Sequence, residues 1–146
     1  MRHHLILRVI TKLLVGTIFL FALYVQFHGD YSPGGGFQAG VIMAVGFIIY
    51  GIVFSLDKVK LVFPPWLVHK LIAFGVLLYA GTGVYSMMLG YGYLDYTAID
   101  PLHPSHGQHL GILIVEGGVG ITVTSVMVAV YYAFSSRTPI LSDEEW

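Results

Sequence analysis

The chain is predicted to be an all-α integral membrane protein with four transmembrane helices and both termini cytoplasmic. Three observations carry this prediction. Hydrophobic residues make up 56% of the 146 residues and charged residues only 10%, whereas a water-facing domain carries about a quarter charged residues. The mean hydropathy is +0.78. Four apolar stretches, 5–27, 37–56, 67–89 and 109–134, each reach the roughly 20 residues needed to cross about 30 Å of hydrocarbon. Transmembrane strands are excluded, because they need barrel closure and alternation over about ten residues. The expected organisation is a single membrane domain over 1–146.

The first stretch, Leu5 to Phe27, follows the basic start Met1-Arg2-His3-His4. It lacks a small-residue cleavage pattern and is too long for a signal peptide core, so it is predicted to span. The second stretch follows a Gly-rich segment. The third follows the middle loop Asp57 to Trp66, where Pro64-Pro65-Trp66 forbids helix continuation and ends in an interfacial tryptophan. The loop before the fourth stretch, Gly90 to Gly107, is expected to be flexible. The tail from Ser135 ends in Asp143-Glu144-Glu145 and is expected to be poorly ordered.

Basic residues set the orientation. Arg2, Arg8 and Lys12 open the first stretch, Lys58, Lys60 and Lys70 lie around the middle loop, and Arg137 follows the fourth. The segments 28–36 and 90–107 hold neither Lys nor Arg. The positive-inside rule therefore places both termini and the middle loop in the cytoplasm. A formal net charge of -1 offers no basic face for nucleic acid. Without cysteine there is no disulfide or iron–sulfur ligation.

The segment Phe27 to Gly40, FHGDYSPGGGFQAG, is the least generic in the chain. Its backbone could not lie unpaired in lipid. Pro33 suits a turn, and Gly34, Gly35 and Gly36 open backbone conformations closed to other residues. Gly36, Gly40 and Ala44 continue as a four-residue stripe that lets a helix approach closely. The segment reads first as a docking turn against a neighbouring subunit and second as a lining of an ion path.

Glu116 is the leading ion-handling candidate. An acid inside an apolar span faces protein or water and marks ion or proton paths, or else glues helices. Gly120 and Thr124 share its face. Lys12 and Lys70 either snorkel to the interface or face the bundle as ion-path partners of a carboxylate on an adjacent subunit. Asp30, Asp95 and Asp100 give the outer side a mild negative field. His103, His106 and His109 recur at three-residue spacing but lack a fourth ligand for zinc. His28 and His109 could ligate a haem only if they faced each other. No metal or other cofactor is expected, and no nucleophile–base pair or phosphate loop is present.

The run Pro33 to Gly40, PGGGFQAG, led by Phe27-His28-Gly29, resembles the MnhB family of small subunits in Mrp-type multisubunit sodium/proton antiporters. The fourth stretch, with His106-Gly107-Gln108-His109 leading into Gly111 to Gly120 around Glu116, is similar to that family's last helix. The resemblance covers essentially the whole chain. It implies a small subunit without independent catalysis, assembled with large antiporter-like and other small subunits in a bacterial or archaeal cytoplasmic membrane. Such complexes exchange sodium for protons in pH homeostasis, with the MnhB component near the sodium route. His28, Pro33, Gly34, Gly35, Gly36, Phe37 and Gly40 match the family motif. The same module occurs in the sodium-translocating arm of membrane-bound hydrogenases, which is the alternative assembly. A stand-alone small multidrug transporter is the second alternative, but those carry a glutamate in the first span, where this chain has Lys12.

Overall fold

In lipid a spanning segment must satisfy its own backbone polar groups, and long apolar runs do so as helices. The structure, a computed structural model, describes residues 5–29 and 33–137. Arg2, Asp30 and the acidic Asp143-Glu144-Glu145 lie outside the described residues. Among the described residues five helices follow in order: α1 Leu5–Phe27, α2 Gly36–Phe54, α3 Leu56–Val62, α4 Pro65–Met88 and α5 Pro104–Ser135, with a short 3-10 turn at Tyr96–Ala98 before α5. Four of them, α1, α2, α4 and α5, are long and apolar enough to cross a membrane. Among the described residues there is no strand.

α1 coincides with the first apolar stretch. α2 ends at Phe54 rather than 56, because Ser55 takes a φ of 111° and breaks the helix. The chain then forms the seven-residue α3, which hydropathy does not reveal. Pro65 occupies the first turn of α4 and Pro104 that of α5, where the missing N–H costs nothing. α5 therefore starts at Pro104 rather than 109, and His106 and His109 are helical.

α1 packs on α2, α2 on α5, and α5 on α4, with a minor α1–α5 contact. The α2–α5 seam is built from small residues. A Cβ at Gly40 would lie 2.8 Å from both the Gly120 carbonyl oxygen and Val123 Cβ. Thr124 Oγ1 crosses the same seam, donating to the Gly40 carbonyl at 3.1 Å and to the Gly120 carbonyl at 2.7 Å. On the other side of α5, a Cβ at Gly118 would lie 2.9 Å from the Gly75 carbonyl of α4. Between apolar helices in lipid, such close backbone approach supplies the dispersion contact that burial cannot. The stripe of Gly36, Gly40 and Ala44 lets a helix approach closely, and the helix against Gly36 and Gly40 is this chain's own α5.

The basic end is closed by α3. Val59, Phe63, Val68, Val128, Tyr132 and Ala44 form its buried cluster, and the Tyr132 hydroxyl donates to the Phe63 carbonyl at 2.7 Å. α1 is the most exposed of the long helices. Only Thr11 and Ala22 are fully buried along its length; one face, with Phe19 against Phe47, packs on α2, and the opposite face is exposed and apolar.

Candidate functional site

The Gly-rich segment and Glu116, read as separate features of the sequence, come together in space. Glu116 lies in α5 on the face turned to the start of α2. Its carboxylate rests against the backbone of Gly29, at the end of α1, and of Gly35, just before α2. A Cβ at Gly35 would lie 2.8 Å from Glu116 Oε1, and one at Gly29 the same distance from that atom. A Cβ at Gly36 would overlap the Glu116 backbone carbonyl oxygen. Gly35 also has a φ of +125°, a conformation that residues with a Cβ rarely adopt. Glycine is thus required here twice over, by backbone angle and by the closeness of Glu116.

The position suits a carboxylate for a second reason. α2 has no acidic residue in its first turn, and its N-cap, Gly35, offers no side chain to the exposed amides. The positive end of a helix favours a negative group within its first turn. Glu116 supplies one from a different helix, and this orients the carboxylate toward the Gly-rich segment.

A groove of about 370 Å³ runs along the α2–α5 seam, between α1 and α4, and its lining includes Gly117 and Gly120 but none of the cradle residues. Gln26, Thr124 and Ser125 bring polar atoms to it among apolar walls that include Leu23, Met43 and Leu71. Gln26 lies against Gly120; a Cβ there would be 2.6 Å from Gln26 Oε1. Gln26 Nε2 and Ser125 Oγ are buried without a hydrogen-bond partner among the described residues. A buried polar atom left unmatched costs about 1–3 kcal/mol.

The remaining sequence candidates distribute as follows. Thr124 lines the groove, but its proton is committed to the two seam carbonyls, so it holds helices together. Gly120 and Gly40 form the seam itself. His28 stacks on Tyr24, ring centroids 4.1 Å apart. Pro33 and Gly34 lead into the turn, where a Cβ at Gly34 would lie 3.0 Å from the Val25 carbonyl. Phe37 points outward and is 61% exposed. Lys12 and Lys70 are not brought to Glu116. Both are exposed at the basic end, with Lys12 Nζ 5.9 Å from the Phe54 ring centroid and Lys70 Nζ 5.0 Å from that of Trp66. Gln26 and Ser125 were missed. A glutamine inside an apolar run, one residue before Phe27, was the available signal.

The loop before α5 is folded back on its helix and not the flexible connection expected. Asp95 Oδ1 accepts from Thr97 N at 3.1 Å, and Gln108 Nε2 donates to Thr97 Oγ1 at 3.1 Å. Asp100 Oδ1 accepts from His103 N, the N-cap residue of α5, and Oδ2 lies 3.1 Å from His106 Nδ1. The hydrogen bond from His106 holds the Asp100 carboxyl below its usual range, with help from the His103 amide. Among the described residues no group of three or more His, Asp or Glu side chains could hold a metal ion.

These features define a class: a small multi-pass membrane protein whose helices pack through glycine around the carboxylate of Glu116. The family described as a domain related to the MnhB subunit of Na+/H+ antiporter matches residues 6–129, and the chain belongs to that MnhB family. A Staphylococcus aureus (strain Newman) protein provisionally named antiporter subunit mnhB2 is 33% identical over 132 residues, which cover 89% of this chain and 93% of the relative. A Staphylococcus epidermidis (strain RP62A) protein of the same provisional name is 31% identical over the same shares.

Proposed function

We propose that this chain is a small membrane subunit of a multisubunit Na+/H+ antiporter, and that Glu116 in its glycine cradle is a cation and proton station on the sodium path. The carrying observation is the convergence of Gly29 and Gly35 on the Glu116 carboxylate, with Gly36 against the Glu116 backbone. A carboxylate can hold either a proton or a sodium ion, and non-helical backbone beside it is the kind that lines ion sites at membrane depth. The membership in the MnhB family supports the antiporter reading over a stand-alone small multidrug transporter.

The absence of Lys and Arg from 28–36 and 90–107 supports a cradle on the outer side and both termini in the cytoplasm. Gln26 and Ser125 are the polar groups that would continue the path inward along the largely apolar groove. The chain does not transport by itself. The outward face of α1 is where other subunits complete the path, and no step of it requires covalent catalysis or a bound cofactor.

The test is sodium-dependent proton exchange in inverted vesicles carrying the assembled complex with Glu116→Gln and Glu116→Asp. Glu116→Gln is expected to lose most exchange with assembly intact, and Glu116→Asp to retain part of it. Wild-type exchange by a correctly assembled Glu116→Gln complex removes Glu116 from the path.

A further inference from the structure

Three cations at the basic end converge on one aromatic ring. The Arg8 guanidinium carbon lies 5.3 Å from the Phe54 ring centroid, Lys12 Nζ 5.9 Å and Lys58 Nζ 6.0 Å. They come from two helices, α1 and α3, and Phe54 is itself only 8% exposed at the end of α2. Such cation–π contacts are weak at exposed sites, and like charges gathered this closely repel one another. Among the described residues none of the three forms an ion pair. Asp57, next to Lys58 in the first turn of α3, forms none with them either. Arg8 and Lys58, with Val53 and Phe54, line a hollow of about 160 Å³, and Lys12 approaches the same Phe54 ring. A compact anion would relieve the repulsion and complete the charge balance.

We propose that this hollow binds the phosphodiester headgroup of an anionic phospholipid. The shared chemistry with a soluble phosphate is the anionic oxygens, which Arg8 can meet as a planar fork and the lysines as point charges. What favours the lipid is what lies beside the hollow. Leu5 and Val9, one turn before Arg8 and Lys12 on the same helix face, are 75% and 52% exposed. They offer hydrocarbon a place to lie while the phosphate sits among the cations. Basic pockets between helices at the cytoplasmic side are suited to anionic headgroups.

The test is native mass spectrometry of the purified full-length chain, titrated with phosphatidylglycerol or phosphatidylcholine of matched acyl chains. Wild type is expected to retain phosphatidylglycerol preferentially. Lys58→Gln, an exposed change, is expected to weaken that retention roughly fivefold, and Arg8→Gln/Lys12→Gln/Lys58→Gln roughly a hundredfold. Lys70→Gln, away from the hollow, is expected to change nothing. Equal retention of both lipids by wild type, or undiminished preference in both Lys58→Gln and the triple variant, overturns the proposal. Displacement by inorganic phosphate without lipid preference assigns the hollow to a soluble anion and also overturns it.

Discussion

Replacing Gly36 by alanine puts the cradle under the most direct mechanical strain. The new Cβ would fall on the backbone carbonyl oxygen of Glu116, and a backbone atom cannot rotate away as a side-chain tip can. Carbon and oxygen need a separation close to 3.5 Å, so α2 must withdraw from α5 by more than a small local adjustment. Overpacking of this kind costs typically 1–3 kcal/mol, and the depth of the overlap places Gly36→Ala near the upper figure, about 3 kcal/mol. Gly36 is the first residue of α2, where the helix-propensity gain of alanine counts for little. Gly40→Ala meets milder contacts of 2.8 Å and recovers about 1 kcal/mol of helix propensity, leaving a net loss of about 1–2 kcal/mol. Gly29→Ala meets only the movable end of Glu116, so stability should change by less than about 1 kcal/mol while the carboxylate is displaced. Denaturant unfolding of the full-length chain in mild detergent, followed by tryptophan fluorescence, ranks the three. The expected order of loss is Gly36, Gly40, Gly29, and Gly29→Ala alone should impair exchange in the assembled complex without loss of the fold. Gly36→Ala within about 0.5 kcal/mol of wild type, the range of an ordinary surface change, would refute the claimed backbone approach.

Other outcomes follow from single contacts. Tyr132→Phe leaves the Phe63 carbonyl without its 2.7 Å donor and should cost about 1–3 kcal/mol in the same unfolding assay. Ser55→Gly should stabilise the chain by about 1 kcal/mol, because a φ of 111° with a ψ of 154° is a region essentially reserved for glycine. Asp100 is held below its ordinary value of 3.8, so the bonds it makes are fully present above that pH and are lost as pH falls through the depressed value. Amide exchange at residues 103–107 should therefore accelerate in that acid window, and Asp100→Asn should show fast exchange without the acid step.

The apolar stretches made the spanning helices legible, since length and hydropathy alone identify them. Their ends were less so. Ser55 breaks α2 through a backbone angle that composition does not encode, and the polar His106, Gln108 and His109 hid the first turns of α5 behind Pro104. The site was legible in its parts but not as a whole. The segment Pro33 to Gly40 and the residue Glu116 both stood out chemically, yet nothing local joins positions 84 apart in the chain, the separation of the bonded Thr124 and Gly40. One signal was available. Gly36-Gly40-Ala44 and Glu116-Gly120-Thr124 share a four-residue period, and two matching stripes of that kind are candidates to face each other. Gln26 and Ser125 acquire meaning only from the groove between α1 and α5, which exists once the helices are arranged.

The proposed exchange of a proton for sodium at Glu116 can be read chemically. Dicyclohexylcarbodiimide modifies protonated carboxyl groups in apolar surroundings, so its attachment to Glu116 in the assembled complex reads the occupancy of that group directly. Peptide mass spectrometry across a sodium titration, with choline as the inert cation, should show modification at Glu116 falling as sodium rises. Modification that stays constant across the titration, or an absence of modification at Glu116 in sodium-free buffer, would contradict the account.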